Sequence, residues 1–82
     1  MPSDYTPILD KIKAGDWEAA HRSIQDHSDP LACRIHAYLH RQEGDLDNAA
    51  YWYARAQTAA PEISLADELD CLYQMAQNTP FD

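Results

Sequence analysis

Eighty-two residues amount to one small domain, and 14 Asp and Glu against 6 Lys and Arg leave a formal charge of -8. A phosphate backbone is met by clustered cations, and six dispersed basic residues on so acidic a chain form no such footprint, which argues against nucleic-acid binding. The same field repels anionic lipid, no run approaches the roughly 18 apolar residues that span a bilayer, and Met1-Pro2-Ser3-Asp4 lacks the basic start and apolar core of an export signal. These features predict a cytoplasmic protein without membrane contact. Cys33 and Cys71 have no second cysteine at metal-ligand spacing and read as two reduced thiols.

Val is absent, Ala is abundant and no stretch alternates with period two, so the composition predicts an all-α fold. Thr6-Pro7 reads as cap and first-turn proline for a helix whose Tyr5, Ile8, Leu9 and Ile12 share one face, and Gly15 ends it. Asp16 caps a second helix with Trp17, Ala20, His21 and Ile24 on one side. Asp29-Pro30 opens a third, which runs to about Glu43 with an apolar stripe of Leu31, Ile35, Tyr38 and Leu39 and stops at Gly44. Asp45 caps a fourth, which carries Leu46, Ala49, Ala50, Tyr53 and Ala56 on its inner face until Pro61 forbids continuation. Ser64 with Asp67 resembles a capping box for a fifth, whose Leu65, Leu69, Leu72, Tyr73 and Ala76 require a neighbour to cover them; the tail from Asn78 is expected to fray. Connections this short imply antiparallel neighbours, hence a single domain over 1–82 built from a hairpin at 5–28, a hairpin at 29–61 and a C-terminal helix at 64–77.

Gly15-Asp16-Trp17 and Gly44-Asp45-Leu46 recur 29 residues apart, and Ala20 with Ile24 matches Ala49 with Tyr53. In the second copy, Gly44-Asp45-Leu46-Asp47-Asn48-Ala49 followed by Tyr53, Ala56 and Pro61 resembles a tetratricopeptide repeat. That resemblance covers residues 5–61 and implies right-handed stacking of helical hairpins. The stretch from His36 to Asp45 with Asn48 to Ala56 also resembles a family of small bacterial proteins without an assigned activity, and Trp17, Ala20-His21 and Gln25 fit the same likeness. The sequence departs from the repeat in the helix before Gly44, where His36 and His40 stand at positions for large apolar side chains while Ala37 keeps the small one.

His36, His40 and Glu43 lie at i, i+4 and i+7, so they share a helix face, and His-x-x-x-His can place both imidazoles on one divalent metal. His21, on the apolar side of the preceding helix, is the third candidate ligand, with Glu18 or Gln25 able to add an oxygen. The zinc-protease pattern is absent, because no glutamate follows His36. The competing assignment makes these histidines neutral core residues, each hydrogen-bonded to its own partner. Tyr51, Trp52 and Tyr53 fan through about 200° of their helix, which puts Tyr53 in the core, Trp52 at its margin and Tyr51 in solvent. Arg55 is spaced to contact Tyr51, and Arg41 to contact Asp45, as ordinary surface pairs. The acidic run after Arg55 reads as a solvated face.

No catalytic constellation emerges. Ser3, Ser23, Ser28 and Ser64 sit at caps, termini or helix surfaces, Cys33 with His36 has no orienting third group, and there is no Gly-rich phosphate loop. The hairpin repeat favours a non-enzymatic module without a cofactor. It would bind a protein or peptide in a groove along the first helices of the hairpins, or pair with itself as a homodimer. The alternative is a small-ligand or metal-binding protein, conceivably an enzyme, whose pocket comprises His21, His36, His40, Glu43, Tyr51, Trp52 and Arg55, with His21, His36 and His40 on a divalent ion such as zinc. The two differ in one geometric respect: a binding site requires the histidine nitrogens to converge.

Overall fold

A glycine followed by an aspartate stands at the first and third helix junctions, where the chain reverses. Gly15 and Gly44 hold φ of 86° and 88°, the left-handed conformation that costs an L side chain energy. Asp16 N–H returns to the Lys11 carbonyl at 2.9 Å and Asp45 N–H to that of His40 at 2.9 Å, so each turn closes the carbonyls of the helix it ends. The same aspartates then open the next helix: Asp16 accepts from Ala19 N–H at 3.3 Å and Asp45 from Asn48 N–H at 3.3 Å. The computed structural model describes residues 5–77, so Met1-Pro2-Ser3-Asp4 and the tail from Asn78 lie outside them. Among the described residues the chain is all-α, with α1 (Thr6–Lys13), α2 (Trp17–Ile24), α3 (Pro30–Gln42), α4 (Leu46–Arg55) and α5 (Leu65–Gln77) and no strand. No helix among them is long and apolar enough to cross a membrane.

Two of the expected ends move. Tyr5, not Thr6, occupies the cap position of α1, which makes Thr6 and Pro7 part of its first turn. The Tyr5 hydroxyl reaches the Asp29 carboxylate at 3.0 Å, while Asp29 caps α3 by accepting from Ala32 N–H at 2.9 Å, so one carboxylate ties two helix starts together. At the other junction α4 stops at Arg55, well before Pro61. Gln57 takes φ 62° there, and Thr58 N–H bonds the Tyr53 carbonyl at 3.1 Å, so the chain builds the glycine turn without a glycine.

The main core comprises Leu9, Ile12, Ala20, Ile24, Ile35, Leu39 and Leu72 with their neighbours. A smaller one joins Ala37, Ala49 and Tyr53, with Trp52 packed against it. In the smaller core the alanines let α3 and α4 approach and the tyrosine fills the remaining space. Leu46 and Ala50 do not join this face. Leu46 is 66% exposed because it lies in the first turn of α4, at the tip of the hairpin, and Ala50 is turned one step away from Ala49. The single stripe expected of α3 is instead burial on almost every side, with Cys33, His36, Ala37 and His40 covered as well as Ile35, Tyr38 and Leu39. The cause is that α2, α4 and α5 all pack against this one helix.

α5 also packs on α1, and the Tyr73 hydroxyl donates to Asp10 at 2.6 Å. It therefore lies against both helices along which a recognition groove is expected. Its Glu68 departs from the solvated acidic face: it is 5% exposed, receives Arg41 Nη1–H on Oε1 at 2.6 Å, and receives the Tyr53 hydroxyl on Oε2 at 2.6 Å. Arg41 also bonds the Ile63 carbonyl, so it spans α3, the loop before α5 and α5 rather than pairing with Asp45. Burial and the Glu68 carboxylate together push the Tyr53 hydroxyl well above its ordinary pKa, which keeps it a donor.

Two stability outcomes follow from these contacts. Gln57→Gly relieves the left-handed strain and should raise stability by about 0.5–1 kcal/mol, read as a higher urea midpoint with unchanged slope. Glu68→Ala leaves a half-buried guanidinium and a buried hydroxyl without their acceptor and should cost about 2–3 kcal/mol, whereas Asp67→Ala, on the exposed face one residue earlier, should cost at most the value of a cap bond, about 1 kcal/mol.

Candidate metal centre

α3 projects His36 and His40 from one face, one turn apart, and both are buried, at 4% and 6% exposure. Their rings stack with centroids 5.0 Å apart. α2 brings the third imidazole. Trp17, in its first turn, donates its indole N–H to the Leu39 carbonyl at 2.8 Å, which pins α2 to α3. His21, four residues on, stacks on that indole at 4.7 Å and stands edge-on to His36 at 4.8 Å and to His40 at 5.2 Å. One ligand nitrogen from each of His21, His36 and His40 lies within 4.8 Å of the others.

The pairwise contacts define the donors. His36 Nε2 faces His21 Nε2 at 3.1 Å, with room for only one proton between two nitrogens. His40 Nδ1 is 2.7 Å from Glu43 Oε2. A carboxylate only accepts, so Nδ1 carries the proton and a neutral His40 keeps its lone pair on Nε2. His36 Nδ1 is a buried nitrogen without a hydrogen-bond partner, the one such side-chain atom among the described residues. Whichever tautomer His36 adopts, that nitrogen is unsatisfied.

Electrostatics favours the neutral forms of His36 and His21. Burial, and then the adjacent His21 and His40, push the His36 pKa down to about 4. His21 is lowered as well, by burial first and by His40 next, with Glu43 opposing. Neutral imidazoles are the form in which histidine ligates a metal. In tetrahedral zinc sites with Zn–N near 2.0–2.1 Å, ligand nitrogens stand roughly 3.3 Å apart. The His21–His36 pair, at 3.1 Å, is already at that spacing.

The remaining predicted pocket residues are arranged outward from this cluster. Trp52 of α4 stacks on His36 at 3.9 Å with an interplanar angle of 12°, covering that ring. Arg55 lies over Trp52 at 5.1 Å and donates to the Tyr51 hydroxyl at 3.2 Å, so Arg55 and the 54% exposed Tyr51 form an outer rim and do not touch the histidines. Glu18 and Gln25 line a surface depression beside His21. Cys33 turns away, its thiol donating to the Ser28 carbonyl at 3.6 Å, and burial raises its pKa. Asp45 comes near His40 and Glu43, but its carboxylate is engaged as the α4 cap. The fourth histidine, His27, packs edge-on to Tyr5 and takes no part. The role of Trp17 is what sequence reasoning missed; its spacing of four residues before His21 was the available signal.

Compared with protein-family models, curated proteins and solved structures, the chain matches none.

The depressed His36 pKa fixes a pH dependence. The unfolded histidine takes up its proton near pH 6.5 and the folded one only near 4, so the unfolded state binds more protons between them. Stability is therefore complete above about pH 6.5 and falls by about 3 kcal/mol as the pH drops to about 4. Urea unfolding across that window should show the loss in the wild type and a flatter profile in His36→Leu; an equally steep variant would assign the loss to other groups.

Proposed function

We propose that this protein is a metal-binding helical domain in which His21, His36 and His40 hold one first-row divalent ion. The observation that carries the proposal is the convergence of three ring nitrogens, from two helices, within 4.8 Å of one another. Three features support it. The donors are nitrogen alone, which suits zinc, copper(II) or nickel rather than magnesium or calcium. Glu43 binds the outer nitrogen of His40, the arrangement by which a carboxylate fixes the tautomer and orientation of a ligating histidine. The neutral form that burial favours at His36 and His21 is the form in which an imidazole ligates a metal. The rival reading, capture of a peptide along α1 and α3, would require α5 to move off both helices.

The test is a thermal melt of chelator-treated protein with zinc, nickel or cobalt chloride. At a free metal concentration 100-fold above Kd, binding to the native state adds about 2.7 kcal/mol, which for a domain of this size raises Tm by roughly 10–20 °C. EDTA should reverse the shift. His21→Ala, His36→Ala and His40→Ala should each abolish it, and Glu43→Gln should weaken affinity about 10–100-fold without removing it. A panel of metals that leaves Tm unchanged would refute the assignment.

A further inference from the structure

We infer that an ion held by His21, His36 and His40 keeps one exchangeable coordination position, open on the α2 side, where a small inorganic anion replaces water. This rests on the metal assignment above and extends it from a closed structural site to a ligand-accepting one.

The argument begins with the number of donors. The converging group contains three histidines and no fourth Cys, Asp, Glu or His atom, among the described residues. Glu43 is not available as a fourth ligand while it binds the far nitrogen of His40. The Cys33 thiol is turned to the Ser28 carbonyl. Zinc-like ions fill a tetrahedron, and with three protein ligands the last position falls to water or to an added ligand.

The surroundings then decide where that position opens. Trp52 lies flat on His36 and closes the α4 side. His36 and His40 are buried, whereas His21 is half-buried and contributes to the surface. Beside it is a depression of about 270 Å³ lined by Trp17, Glu18, His21, Arg22 and Gln25. That volume lies below the range of roughly 300–1,000 Å³ typical of metabolite pockets, so it suits water and a small ion rather than a larger substrate. The charges of Glu18 and Arg22 cancel in sum, which leaves the field at the opening to the metal itself. Arg22 and the Gln25 amide supply hydrogen-bond donors for an anion, while Glu18 selects against more than one negative charge.

The probe is cobalt(II), whose visible bands respond to coordination, titrated with sodium azide. The cobalt-loaded protein should show bands that change saturably with azide. Arg22→Ala should leave the azide-free spectrum unchanged and raise the half-saturating azide concentration several-fold. Bands indifferent to azide would overturn the inference while leaving the metal assignment intact. So would a thiolate-to-cobalt absorption in the near ultraviolet, or a Glu18→Gln variant with an altered azide-free spectrum, because either would identify a fourth protein ligand. Absence of any cobalt bands would remove the metal assignment and this inference together.

Discussion

A helix enclosed on nearly every side must find a partner for each polar group it carries, and α3 carries His36 and His40 fully, and Arg41 in part, into such surroundings. Burying an unpartnered polar group costs several times what one hydrogen bond contributes, so these three side chains constrain what the neighbouring helices can be. α5 meets Arg41 with Glu68, at 2.6 Å. α2 meets the histidines with a third histidine, and α4 with the flat face of Trp52.

The two polar clusters on α3 are settled differently. Around Glu68 both carboxylate oxygens receive a donor, one from Arg41 and one from Tyr53, and the guanidinium extends to the Ile63 carbonyl. Such a closed network specifies one position for α5. Around His36 the count fails: two histidines share one bridging proton, and His36 Nδ1 has no partner. Leucine at position 36 would avoid that deficit and add to a core that is small for lack of chain length. A chain with so few interior positions gives two of them, His36 and His40, to groups whose chemistry is ligation, and orients one with Glu43. On the proposed reading, this contrast separates a structural network from a binding site.

Local features of the fold were legible in the sequence because they depend on residues adjacent in the chain. Gly15-Asp16 and Gly44-Asp45 are such cases, since left-handed φ and an accepting carboxylate are properties of those two residues. The i, i+4 spacing of His36 and His40 placed them on one face, and the apolar flank of His21 pointed it inward. What failed depended on distant partners. Glu68 resembles its acidic neighbours in sequence, and only the approach of Arg41 and Tyr53, 27 and 15 residues away, explains its burial. The end of α4 was misplaced because Gln57 adopts a conformation normally assigned to glycine, and its side chain carries no signal of that. Leu46 was placed inside by periodicity, yet periodicity cannot show where a facing helix ends.

The attachment of α2 gives the histidine cluster a consequence for the whole domain. α2 meets α3 through apolar residues, through the Trp17 bond to Leu39 and through the His21 contacts with His36 and His40. In a domain this small, each cross-helix link is a sizeable fraction of a net stability of a few kcal/mol. An ion shared between His21 on α2 and the two histidines of α3 would replace one of these links, one proton between two imidazoles, with three coordinate bonds, one from α2 and two from α3. The unfolded chain has no comparable site, because His21 is separated from His36 by 15 residues and a helix junction. Ligation and the docking of α2 are then one equilibrium. The indole of Trp17, stacked on His21 and bonded to α3, stands where both would be reported.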